Sequence, residues 1–238
     1  MSRIRLILLS LLAVLAFGAV AAASASAAHE FWVPECENQG PGHKYATRVK
    51  CEKGEIGTGE WERSGALAPI AAGEEVPVEG TSGTSILEVP ELNEAKIECK
   101  EDKFSGTLKA AGQTTAKVEF EKCTVVSPEH CTVAEPIKVN VTDQLVIFHE
   151  TLADAFEPPS GEPFVVIKLK GSECLAKGEF KVKGKQQCAL PEGEIEKVEH
   201  EIDCKPIGSE LTLGAKEAKF EGKEKVKLTG GGNWKAKE

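Results

Sequence analysis

Side chains able to do chemistry are present, but their spacing breaks the motifs they would need. Gly80-Thr81-Ser82-Gly83-Thr84 opens like a nucleophile elbow, in which a serine sits on a tight strand-to-helix turn, yet Thr84 stands where the second glycine is required. The stretch reads instead as a Gly/Ser/Thr connector. His149-Glu150-Thr151-Leu152-Ala153 and His200-Glu201-Ile202-Asp203-Cys204 begin like the helix of a zinc protease. That chemistry needs a second imidazole one turn on, with the glutamate as base, and Ala153 and Cys204 occupy its place. His29, His43 and His130 are scattered and read as exposed or internally satisfied residues.

Carboxylates are abundant and uneven: 34 Glu against four Asp, namely Asp102, Asp143, Asp154 and Asp203. Calcium loops draw on closely spaced Asp and Asn around a glycine, and no such run exists. A glycosidase could set two Glu across a cleft, but most Glu here alternate with Lys and read as solubilising charge on strand faces. The tryptophans Trp32, Trp61 and Trp234 lie outside the strongest strand runs. Each reads as a plug over an open end of the core, and Trp61 and Trp234 are also the residues that could stack on a ligand.

The eight cysteines are Cys36, Cys51, Cys99, Cys123, Cys131, Cys174, Cys188 and Cys204. No C-x-x-C pair occurs, and no Cys is spaced from His as in a zinc finger, so neither a metal nor a cofactor is expected. An even count in an exported chain points to four disulfides with 105 possible connectivities. Proximity in sequence favours Cys36–Cys51, Cys123–Cys131 and Cys188–Cys204 as local staples, which leaves Cys99–Cys174 as a long-range clamp.

Export is read from residues 1–28. Arg3 and Arg5 precede an apolar run from Leu6 to about Val20, and small residues with Ala25-Ser26-Ala27 or Ser26-Ala27-Ala28 as the cleavage motif follow. Without that segment the chain carries 27 basic and 38 acidic side chains, a net charge of −11, and only Arg48 and Arg63 remain as arginines. Nucleic-acid and phosphate recognition favour arginine forks on basic patches, so those partners are disfavoured, as are anionic membrane surfaces. No membrane insertion is expected after signal removal.

The elements that must position these residues read as strands. Thirteen aromatics in 238 residues leave an aliphatic core. Residues 29–75 look loop-rich, with turns at Gly40-Pro41-Gly42 and Gly57-Thr58-Gly59 and a short strand over Tyr45–Cys51. From residue 76 to 238 the period is two, as in Ala95/Ile97/Cys99, Val118/Phe120, Phe164–Lys170, Phe180–Lys183 and Lys225–Leu228. Turn signals at Gly112, Pro128, Pro158-Pro159-Ser160-Gly161, Gly171, Gly184 and Gly208 separate these runs. An antiparallel sandwich or barrel is expected. Thr151–Phe156 could be a helical turn, while Ile195–Ile202 fits a helix face or a strand and is read as strand.

The order of features also resembles a family. Trp32-Val33-Pro34-Glu35-Cys36 follows the signal. Val118-Glu119-Phe120-Glu121-Lys122-Cys123 then precedes Cys131, and Ala134-Glu135-Pro136-Ile137-Lys138-Val139 comes next. Gly161-Glu162-Pro163-Phe164 and a closing Lys227-Leu228-Thr229-Gly230-Gly231-Gly232-Asn233-Trp234 complete the pattern. This is similar to a family of exported, strand-built, cysteine-containing bacterial proteins, often present as several paralogues, with no assigned activity. The resemblance implies no catalytic or binding residues. Cys188 and Cys204 are additional to the common pattern, which implies that they pair with each other.

The expected function is a secreted or cell-surface structural or binding module of the bacterial envelope or extracellular space. Its partner would be an envelope polymer or another surface protein. The alternative is a secreted, glycosidase-like hydrolase with Glu pairs in a cleft.

Overall fold

The computed structural model describes residues 29–45, 51 and 58–238. The expected signal peptide lies outside the described residues, as does most of the strand expected over Tyr45–Cys51. In chain order the strands are β1 (Glu30–His43), β2 (Gly59–Pro69), β3 (Glu75–Ser82), β4 (Ser85–Val89), β5 (Ala95–Lys109) and β6 (Gln113–Ser127). Then come β7 (Thr132–Val133), β8 (Ile137–Phe148), β9 (Thr151–Glu157), β10 (Val165–Lys170) and β11 (Gly178–Lys183). The last are β12 (Gln186–Ala189), β13 (Glu199–Ser209), β14 (Leu211–Leu213), β15 (Lys216–Leu228) and β16 (Lys235–Lys237).

Eight of these strands close into an antiparallel barrel in the order β3-β5-β6-β8-β9-β12-β13-β15, with β15 returning to β3. Closure removes the open edges that a sheet of such strands would expose. Alternation follows from the pleat: along β8, Ile137, Val139, Val141 and Leu145 are buried while Lys138, Asn140 and Thr142 face water. Outside, Lys103–Glu121 (2.6 Å), Lys223–Glu201 (2.6 Å) and Lys227–Glu79 (3.4 Å) bridge neighbouring strands. Such exposed pairs are worth about 0–1 kcal/mol each, so the interior dominates the energetics.

A second sheet, β15-β14-β11-β10-β7, branches from the N-terminal half of β15. The other end of the barrel is covered by β16-β1-β2, which brings Phe31, Trp234 and Ala236 into the main core. Strands β3 and β4 both run antiparallel to β5 in one continuous register, Gly80 opposite Phe104 and Ser85 opposite Cys99, so they are one strand broken at Ser82–Ser85. The Gly/Ser/Thr connector is that break.

Several expectations change. The described part of 29–75 is a β1–β2 ribbon, since Cys36, Tyr45, Cys51 and Trp61 supply a small core of their own. The Gly40-Pro41-Gly42 turn is an irregularity within β1 that shifts the β1–β2 register, with φ of 85° at Gly40 and 100° at Gly42. Thr151–Phe156 is strand β9, paired to β8 through a tight turn with positive φ at His149 (49°) and Glu150 (62°), so the first zinc-protease near miss is a hairpin turn.

The disulfides are Cys36–Cys51, Cys99–Cys123, Cys131–Cys174 and Cys188–Cys204. The expected Cys123–Cys131 and Cys99–Cys174 pairs are therefore corrected. Strand register is the reason: Cys99 and Cys123 stand directly opposite on β5 and β6, as Cys188 and Cys204 do on β12 and β13. Cys131 lies beyond the turn after β6 and meets the β10–β11 connection, where a Cβ on Gly171 would come within 2.6 Å of the His130 carbonyl.

The oxidised protein should yield no titratable thiol. Removing Cys131–Cys174, which closes 43 residues, should cost roughly 0.9 kcal/mol more in chain entropy than removing Cys188–Cys204, which closes 16. Denaturant unfolding of the two double-alanine variants checks the order.

Candidate functional site

The pleat that buries the aliphatic residues also sends a few acids inward. In β15, Glu224 shares its phase with Val226 and Leu228, both buried. In β5, Asp102 shares its phase with Phe104, and in β8 Asp143 falls between Val141 and Leu145. In β9, Asp154 falls between Leu152 and Phe156. All four aspartates of the chain, Asp203 included, are less than 9 % exposed.

A mainly apolar cavity of about 110 Å³ lies where the barrel interior meets the second sheet, walled by Phe104, Val139, Val141, Phe156 and Ile202 of the barrel and by Ile167, Leu211 and Phe220 beyond it, and Asp102, Glu224, Ser85, Gln186 and Lys223 also line it. The Ser82 N–H donates to Asp102 Oδ1 at 3.0 Å and the Ser82 hydroxyl donates to Oδ2, so the break between β3 and β4 caps this carboxylate. Glu224 lies within hydrogen-bonding reach of Asp102, and burial, the hydrogen bond and the Asp102 charge together push its pKa up to about 10. Glu224 therefore carries the proton of the pair at neutral pH. Its Oε1 is buried without a hydrogen-bond partner. This carboxyl lies over Gly80 of β3, where a Cβ would come within 2.5 Å of Oε1 and 2.7 Å of the Lys225 carbonyl.

A second acid pair lies on β8 and β9. Asp143 and Asp154 are 7 % and 4 % exposed, and each leaves Oδ1 without a partner. Burial raises the Asp154 pKa to about 7. Burial and then the neighbouring Asp154 charge raise Asp143 well above the usual carboxylate range, with the Thr114 hydroxyl pulling it partly back. Asp203 differs in being paired, with Lys205 at 3.1 Å and Lys223 at 3.9 Å.

The tryptophans are elsewhere. Trp234 is 2 % exposed, its ring 4.1 Å from His200 and 6.1 Å from Phe31, and its carbonyl accepts from His200 Nε2 at 2.8 Å. It packs into the core at the barrel end and does not line the cavity. Burial pushes the His200 pKa down, so the ring is neutral and the second zinc-protease near miss is a packed core residue on β13. Trp61 is half-buried in the β1–β2 ribbon against Cys36, Tyr45 and Cys51, and does not line the cavity. Among the described residues no group of three or more His, Cys, Asp or Glu could hold a metal ion. The site residues that motif spacing misses are Asp102, Glu224, Asp143 and Asp154. Their signal is phase, since each shares strand parity with buried aliphatic or aromatic neighbours.

Both acid pairs hold a proton to higher pH when folded than when unfolded, where carboxyls titrate near ~4. Their contribution to stability is complete below about pH 4 and is lost as pH rises, through about 7 for Asp154 and onward to about 10 for Glu224. The thermal midpoint should fall by several degrees between pH 5 and 8, and Asp154→Asn should flatten that fall. A midpoint that rises over this range would contradict the assignment. Gly80→Ala should lower the midpoint at every pH, because the Lys225 carbonyl cannot retreat from the barrel wall.

Comparison of the chain with protein-family models, with curated proteins and with solved structures finds no match in any of the three.

Proposed function

We propose that this chain is an exported binding module of the bacterial envelope or extracellular space, and that its ligand is a small, mainly apolar molecule held inside the barrel. The observation that carries the reading is the mainly apolar 110 Å³ cavity, lined in part by Glu224, a residue whose Oε1 is buried without a hydrogen-bond partner. A cavity of roughly 150 Å³ with apolar walls accepts benzene, so this smaller one suits a short alkyl chain, or a single ring once its walls move outward slightly. Eight-stranded barrels are wide enough to hold one small ligand among their inward side chains. The four disulfides fit an oxidising compartment outside the cytoplasm. Hydrolysis gains no support from the Asp102–Glu224 pair: carboxyls within hydrogen-bonding reach of each other are closer than the ~5–9.5 Å that glycosidases need to admit a sugar or a water.

A second reading concerns a groove of about 720 Å³ on the β6–β8–β9 side of the barrel. It is lined by Gln113, Thr142, Gln144 and Gln187, whose amides and hydroxyls suit an envelope polymer, and by Lys109, Lys185, Asp143 and Glu157. Co-sedimentation with purified envelope that persists above about 0.2 M salt, where the Debye length is below ~10 Å, would support it.

For the interior site, toluene at about ten times its Kd should raise the thermal midpoint by roughly 3–5 °C. Val141→Phe, which fills the cavity, should abolish the shift. No shift in the unsubstituted protein at saturating toluene overturns the reading.

A further inference from the structure

We propose that the barrel's ligand is an organic amine, its apolar body in the cavity and its ammonium on the Asp102–Glu224 pair; this rests on the interior-binding reading above. Asp102 and Glu224 line the same mainly apolar cavity, and among the described residues no Lys, Arg or His forms an ion pair with either of them. The basic groups beside Glu224 in sequence are engaged by other acids: Lys223, which also lines the cavity, has its Nζ with Glu201 at 2.6 Å, and Lys225 Nζ lies with Glu199 at 3.6 Å. The pair is thus a built concentration of negative potential without a counter-cation from the chain.

Hydrogen-bonding capacity points the same way. Asp102 is already capped by the N–H and hydroxyl of Ser82, while Glu224 Oε1 accepts from nothing. What is missing is a donor, and a positively charged one also cancels the repulsion between two ionised carboxyls. A buried charge-assisted bond is about twice as strong as a neutral one, so an ammonium outranks a hydroxyl at this oxygen. On binding, the ammonium keeps its protons, and the single proton shared by the acid pair leaves to solvent. An inorganic cation fits the same charge poorly. Calcium takes 6–8 oxygen ligands, whereas most of the remaining wall is apolar, as at Phe104, Val118, Val139 and Phe156, and the other side-chain oxygens there are those of Ser82, Ser85 and Gln186.

Benzylamine, benzyl alcohol and toluene share one size and differ only at the polar end. By calorimetry at pH 7, benzylamine should bind about tenfold or more tighter than the other two. Buffers of different ionisation enthalpy should show close to one proton released per benzylamine bound. Glu224→Gln should erase the preference for the amine and leave toluene binding within about threefold. If the variant does not fold, the proton count on the unsubstituted protein decides by itself. Equal affinity for all three compounds, or no proton release, overturns the amine while leaving the interior site standing. Binding of none of the three overturns both. Stabilisation by calcium chloride, with no response to benzylamine, assigns the pair to an inorganic cation and also overturns the proposal.

Discussion

Strand β15 is hydrogen-bonded along both edges for nearly its whole length. One edge takes β14 at Lys216–Ala218 and β13 at Gly222–Lys227, and the other takes β4 at Lys219–Glu221 and β3 at Glu224–Leu228. Both neighbouring lines of strand are therefore interrupted, between β3 and β4 and between β13 and β14, while β15 runs through. Each interruption frees backbone groups inside the wall, and polar side chains answer them. Ser82 bonds Asp102 at the first, and at the second the Phe220 N–H donates to Ser209 Oγ at 2.9 Å, whose hydroxyl in turn donates to Gln186. The polar chemistry of the interior is a consequence of how one long strand joins the barrel to the second sheet.

That arrangement separates stability from function. The Lys/Glu ladders outside are individually weak and replaceable, and two of the four disulfides join residues that strand register already sets opposite each other. Asp102 has a structural task, accepting from the Ser82 N–H and hydroxyl at the strand break. A second acid beside it, Glu224, is costly to bury. That pair, lining a cavity with the Glu224 Oε1 unpartnered, is what the proposed interior site rests on.

Much of the fold is legible in the chain because a half-buried strand writes its pleat into the residue order. The runs around Ile97, Val118, Ile167, Val182 and Val226 all form strands. The closed ring is not legible, since closure depends on β15 meeting both β3 and β13, a long-range pairing that local alternation does not encode. Two of the four cysteine pairs, Cys36–Cys51 and Cys188–Cys204, are legible from short separation; the other two are not, since short separation favours Cys123 with Cys131 whereas register sets Cys123 against Cys99. The acids were hidden by composition. Lys100-Glu101-Asp102-Lys103 and Lys223-Glu224-Lys225 look like any solvated Lys/Glu face until the parity of Phe104 and Val226 is followed back through them. The scarcity of aspartate was the second signal, as every one is buried.

The most direct test is a carbon-13 NMR titration of the Glu224 side-chain carboxyl in the oxidised protein. The interior-pair account predicts a carboxyl still protonated at pH 7, titrating toward about 10, and ionising at pH 7 once benzylamine is bound. Titration in the ordinary glutamate range near ~4.3, unaffected by the amine, would contradict it.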